Sequence, residues 1–169
     1  MNQSAPAYNE HNNQNCIEQT LATAKALCSS RGVDFTSLRA RVFILLWHSN
    51  TPLGADTILS QLAEQDKTWR LAPPTVYRGL EFLQKQGLVH RIASLNTFIG
   101  CNHPQYQHDC QFLICKLCDI TLELNNQAVQ ISKLKEAEAA GFIAESARVQ
   151  ILGLCPNCQL RSNKQCAIL

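Results

Sequence analysis

The chain has 169 residues, 46% of them hydrophobic, and a formal net charge of +2. That length suits one ordinary domain or two small ones with real cores. The longest uninterrupted apolar run, Val42 to Trp47, is far too short for a helix that spans a bilayer, and Met1 to Asn15 carries no apolar signal-peptide core, so a soluble protein with a cytoplasmic location is expected.

Residues 1–15 are rich in Asn and Gln without an apolar period and read as a disordered arm. A first helix is expected over about 16–30, with Ile17, Leu21, Ala24 and Cys28 on one face and Gly32 as its stop. A second starts near Thr36, an N-cap residue, and carries Val42, Phe43, Leu45 and Leu46 before Thr51-Pro52 breaks it. A third spans about 54–65 on the stripe Ala55, Ile58, Leu59 and Leu62. The fourth begins at Pro73-Pro74 and ends before Gly87, the expected C′ residue. Two short β runs follow, Leu88 to Ile92 and Thr97 to Cys101. Three helices and a hairpin behind one extra helix make a winged helix-turn-helix.

Beyond Cys101 comes a polar loop, then strands near 111–115 and 119–124, a helix of about 126–140 and a strand near 142–152. The fold class expected is α+β: an N-terminal winged helix-turn-helix followed by a small α/β unit. The divisions are 1–15, 16–95, 96–160 and a C-terminal tail of 161–169, with the central boundary a few residues later if the hairpin belongs wholly to the first domain.

Residues 31–91 hold eight Lys/Arg against five Asp/Glu, whereas residues 92–169 hold six of each. The modest basic excess lies in the half that would meet phosphates. In PPTVYRGLEFLQKQG, Val76, Gly79, Leu80 and Leu83 fall on one face and Tyr77, Arg78, Glu81, Gln84 and Lys85 on the others. Such a helix is either a surface helix with a solvated face or one that offers that face to a major groove, where Arg reads guanine.

The nine cysteines are an odd number in a chain without an export signal, which favours thiols or thiolates over cystines. Cys115-Lys116-Leu117-Cys118 and Cys155-Pro156-Asn157-Cys158 are two C-x-x-C pairs with 36 residues between them, a longer gap than a usual zinc ribbon, and are either buried thiols packed as small hydrophobes or the four thiolates that a structural zinc wants. A thioredoxin-like dithiol needs a C-x-x-C opening a helix after a strand in a βαβ unit, which neither pair is expected to do. His90, Cys101, His103, His108, Asp109, Cys110 and Glu123 are further ligand types, each ordinary by itself.

The string Pro74-Thr75-Val76-Tyr77-Arg78, followed by Leu80, Leu83 and Gly87-Leu88-Val89, closely resembles the recognition helix of the ferric uptake regulator family. The resemblance spans about residues 16–160. Where the family usually has Thr-Pro-Gln-Arg, this chain has Thr36-Ser37-Leu38-Arg39. The resemblance implies that the small α/β unit is a dimerisation domain, and it implies base and backbone contacts from Arg78 and Tyr77, a phosphate contact from Thr75, and a zinc staple of Cys115, Cys118, Cys155 and Cys158. It further implies a regulatory zinc on His90, Cys101, His108 and Glu123, the sensing set of the zinc uptake branch. One thiolate, two imidazoles and one carboxylate suit zinc better than iron or manganese. A third complete site is not expected, since Ser146 and Ala147 stand where many iron regulators carry a histidine.

The function expected is a homodimeric, zinc-responsive transcriptional repressor of zinc uptake and homeostasis genes. It would hold two zinc ions per chain, bind a palindromic double-stranded DNA operator, and take no small-molecule substrate. The alternatives are an iron- or peroxide-responsive regulator, a zinc hydrolase using His90, His108 and Glu123, whose open position Cys101 would close, and a zinc-stapled interaction module. The final Cys166-Ala167-Ile168-Leu169 fits a prenylation pattern by chance.

Overall fold

The computed structural model describes residues 14–49, 51–65, 72–105, 111–124, 127–144 and 148–165. The expected arm at 1–15 lies almost wholly outside them, as do His108, Asp109, Cys110 and Cys166. Four helices come first: α1 (Gln14–Ser30), α2 (Ser37–His48), α3 (Ala55–Gln65) and α4 (Pro73–Lys85). They lead into a hairpin of β1 (Val89–Ile92) and β2 (Thr97–Gly100). Then follow β3 (Gln111–Cys115), β4 (Thr121–Leu124), α5 (Gln127–Ala139), β5 (Val149–Gly153) and α6 (Pro156–Gln165).

The helix ends follow from local chemistry. Thr36 adopts extended backbone and its hydroxyl accepts from the Arg39 N–H at 3.5 Å, capping α2. Pro73 opens α4, where its missing N–H is no loss. At the other end Gly87 takes φ 68°; its N–H donates to the Gln84 carbonyl and the Leu88 N–H to the Leu83 carbonyl. This is a Schellman closure, with buried Leu83 and Leu88 completing it. The chain therefore enters β1 directly from the last turn of α4.

The first core is built by the apolar faces of the four helices, with Phe43, Leu46, Ile58, Leu62, Leu80 and Leu83 almost wholly buried. Phe98 of β2 belongs to the same core, and Leu53 and Phe98 exchange two backbone hydrogen bonds of 2.8 Å. The expected division at 95/96 falls in the turn of a hairpin whose strands pair from Val89–Gly100 to Ile92–Thr97. Both strands go with the helices.

The second sheet has the order β4-β3-β5, with β3 antiparallel to β4 and parallel to β5. Phe112 and Ile114 on one face pack with Ile92 and Ile99 of the hairpin into a small buried seam. On the opposite face Leu113 lies beside Leu122 and Ile151, and both Leu113 and Ile151 are exposed. The last strand is shorter and later than the expected 142–152, for Phe142 and Ile143 are 72% and 96% exposed and follow the closing turn of α5 at Gly141. The tail expected from 161 is instead the second half of α6.

Candidate metal centres and nucleic-acid interface

The four-cysteine set is assembled by three pieces of backbone. Cys115 ends β3, Cys118 lies in the turn that leads to β4, and Cys155 and Cys158 flank the first residues of α6. The second pair thus does open a helix after a strand, against the sequence expectation, and it is the grouping of four sulfurs that argues against a simple dithiol. Asp119, at φ 56°, reverses the chain after Cys118, and its N–H donates to the Cys115 carbonyl at 3.0 Å. Aspartate tolerates this left-handed backbone better than most side chains. The four sulfurs all lie within 4.8 Å of one another.

Cys118 and Cys155 approach to 3.7 Å, and the Cys155 N–H donates to the Cys115 sulfur at 3.3 Å. That donor, followed by the Leu117 N–H, holds the Cys115 thiol down to about 6. Cys158 is pushed up to about 12, chiefly by its hydrogen bond with Cys155 and then by Cys118. Four crowded sulfurs cannot all be thiolates unless a cation joins them, and the donor set, sulfur alone in a closed cluster, fits a structural zinc.

The second grouping lies at the junction of hairpin and sheet. His90 comes from β1, Cys101 follows β2, and Glu123 comes from β4; one ligand atom from each lies within 4.8 Å of the others. Cys101 is fully buried, and the side chains of His90 and Glu123 are 11% and 3% exposed. His90 Nε2 is 3.1 Å from Glu123 Oε1, and the His90 ring meets the Phe112 ring edge-on at 5.6 Å.

Two backbone donors brace the set. The Asn102 N–H donates to Glu123 Oε2 at 3.0 Å, and the His103 N–H donates to the Cys101 sulfur at 3.3 Å. Of the four residues predicted for this site, three are adjacent, and His108 lies outside the described residues. His103 is exposed and contributes its N–H but is not in the ligand grouping. No side-chain pattern could have disclosed the roles of Asn102 and His103, because the groups that act are main-chain. Imidazole, thiolate and carboxylate around one point fit a borderline cation such as zinc.

The α4 surface matches its sequence pattern. Val76, Gly79, Leu80 and Leu83 are buried. Thr75, Tyr77 and Arg78 are exposed, Tyr77 at 51%. Glu81 and Lys85 pair across one turn at 2.9 Å in full solvent, a contact of little energetic weight.

Residues 30–152 match the ferric uptake regulator family. The zinc uptake regulation protein of Escherichia coli is 31% identical over 142 residues, covering 83% of this chain and 82% of the relative. A solved zinc uptake regulator complexed with zinc and DNA superposes with a TM-score of 0.82 at 30% identity, over 87% of this chain and 97% of that one. The holo form of XcZur gives 0.76 at 36% identity, over 84% and 98%. Its apo form gives 0.50 at 35% identity, over 85% and 97%.

Proposed function

The chain belongs to the ferric uptake regulator family, and on that premise we propose that it is a zinc-responsive, DNA-binding transcriptional repressor of the zinc uptake branch. It is a regulator and not an enzyme, so the hydrolase alternative falls. The observation that carries the reading is the meeting of His90, Cys101 and Glu123 across the junction between hairpin and sheet. A sensor has to join two bodies whose relation it controls, and these residues belong to both. The closer match to holo XcZur than to its apo form supports a domain arrangement of the metal-loaded kind.

When bound, zinc supplies a cross-link among imidazole, thiolate and carboxylate. The chain's own residues do the rest. Asn102 and His103 hold the carboxylate and the sulfur from the main chain, and the Phe112 edge fixes the His90 ring. His108, just ahead of β3, is proposed as the fourth ligand. Thr75, Tyr77 and Arg78 meet the operator, with Arg78 as the base reader.

We assign two zinc ions per chain, the second structural on Cys115, Cys118, Cys155 and Cys158. The domain boundary is proposed just beyond Gly100, and the dimerisation unit extends to the end of α6. The exposed row of Leu113 and Ile151 supports a homodimer in which a second copy covers this face. A twofold dimer implies a palindromic operator. Among the described residues no helix is long and apolar enough to cross a membrane, and the proposed place of action is the cytoplasm.

The test is DNA selection from a random-sequence library across buffered free zinc, iron and manganese. Enrichment of a palindromic duplex with zinc at the lowest free concentration is expected. Enrichment driven by iron or manganese alone would move the chain to another branch.

A further inference from the structure

Two arginines from the front of the molecule grip the back of the reading helix. The Arg39 guanidinium lies 3.5 Å above the Phe82 ring centroid while donating to the Asp34 carbonyl. Arg31, just past α1, donates from Nη1 to the Gln86 carbonyl at 2.7 Å and to Gln86 Oε1 at 3.2 Å. Gln86 is the C-cap of α4, where the helix dipole favours a cation.

The spacing matters. Arg78, Phe82 and Gln86 are at i, i+4 and i+8, so they form one stripe along α4. The upper member is exposed and proposed to read a base, and the lower two are each held by an arginine. Apolar packing of Val76, Leu80 and Leu83 turns one face of α4 to the core, whereas the two arginine contacts fall on the stripe that bears Arg78 and restrain that stripe directly. Flat stacking and a forked hydrogen bond have direction. We propose that Arg39 and Arg31 form a clamp that sets the rotation of α4 and thereby aims Arg78; they are positioning residues for sequence reading and not DNA contacts. This gives the Arg of Thr36-Ser37-Leu38-Arg39 a task, and it explains why α1 precedes the three helices of the reading unit.

The proposal rests on the repressor reading, and the experiment separates the two. A duplex is first selected from a random library by the zinc-loaded wild-type chain; failure to enrich any duplex sinks the repressor reading and says nothing against the clamp geometry. Wild type, Arg39→Leu, Phe82→Leu, the double variant and Arg31→Met are then titrated on that duplex and on a shuffled one across a salt series. Each of Arg39→Leu and Phe82→Leu is expected to lose about tenfold in preference for the selected duplex, part of what a base-reading arginine confers. Affinity for the shuffled duplex and the salt slope should stay unchanged. The double variant should lose no more than the worse single, because the two act through one contact. Arg31→Met, a change at an exposed position, should show a smaller loss of the same kind, and it carries the test should Arg39→Leu fail to fold. An unchanged preference overturns the clamp. A uniform loss on both duplexes, with a salt slope smaller by about one, also overturns it by making Arg39 a phosphate contact.

Discussion

Cys101 is the residue on which the zinc reading turns, because its fully buried sulfur faces His90 and Glu123 and takes a hydrogen bond from the His103 N–H. Replacing it with serine keeps size and donor geometry but removes the soft ligand. Cys101→Ser should stay folded, keep the staple zinc and lose the second. If metal and operator are coupled by about 1–3 kcal/mol, each tightens the other ~5–150-fold, and the variant should show none of that rise. A normal zinc-dependent gain in DNA affinity would reduce Cys101 to a buried thiol. At the staple, Cys115 is held down to about 6 and is already a thiolate at neutral pH, whereas Cys158 is pushed up to about 12 and Cys118 is raised. Zinc must therefore displace protons from at least the latter two near pH 7. Staple affinity should weaken as pH falls, and calorimetry in buffers of different ionisation enthalpy counts the protons; a value of zero would contradict the assigned protonation.

Elements with a strong period were legible before any coordinates. The stripes of α1 to α4 and the stops at Gly32 and Gly87 announced themselves, since amphipathic helices and left-handed caps both leave residue-type signatures. α6 did not, because PNCQLRSNKQ has no apolar stripe; Pro156 at its first position was the one sign. The strand read over 142–152 was overextended because Phe142 and Ile143 are apolar yet exposed, and sequence alone cannot tell a strand residue from an uncovered one. Of the His90, Cys101 and Glu123 grouping, residue type alone disclosed nothing, since each is ordinary by itself; the family resemblance named the side chains, and nothing in the sequence named the Asn102 and His103 N–H groups that brace them. α4 also contains a concession at Gly79. A Cβ there would meet Val42 Cγ2 at 3.9 Å, ordinary contact distance. Gly79→Ala should stabilise the zinc-loaded protein by about 0.5–1 kcal/mol through helix propensity. Chemical denaturation checks this, and a loss of stability would mean that α4 needs a closer approach than the structure has.

For the molecule as a whole, the uncovered face of the second sheet is the feature that a single chain leaves unfinished. Leu113 and Ile151 sit side by side in register on it, and Ile151 is 51% exposed. Ile151→Asp should convert the proposed dimer to a monomer in sedimentation while leaving both proposed zinc sites filled, because the opposite face, with Phe112 and Ile114, is untouched. The monomer would lose high-affinity operator binding through the loss of the second half-site. A variant that stays dimeric would put the interface elsewhere.

The Schellman closure at the end of α4 has a mechanical meaning for this assembly. His90 is three residues beyond Gly87, and Arg78 is nine before it, with a helix on one side and a strand on the other. The two arms are stiff and the joint is one glycine at φ 68°. Because Leu83 and Leu88 on either side of that glycine are buried in one core, helix and strand turn together as a single crank, and a displacement of His90 and one of Arg78 are one motion.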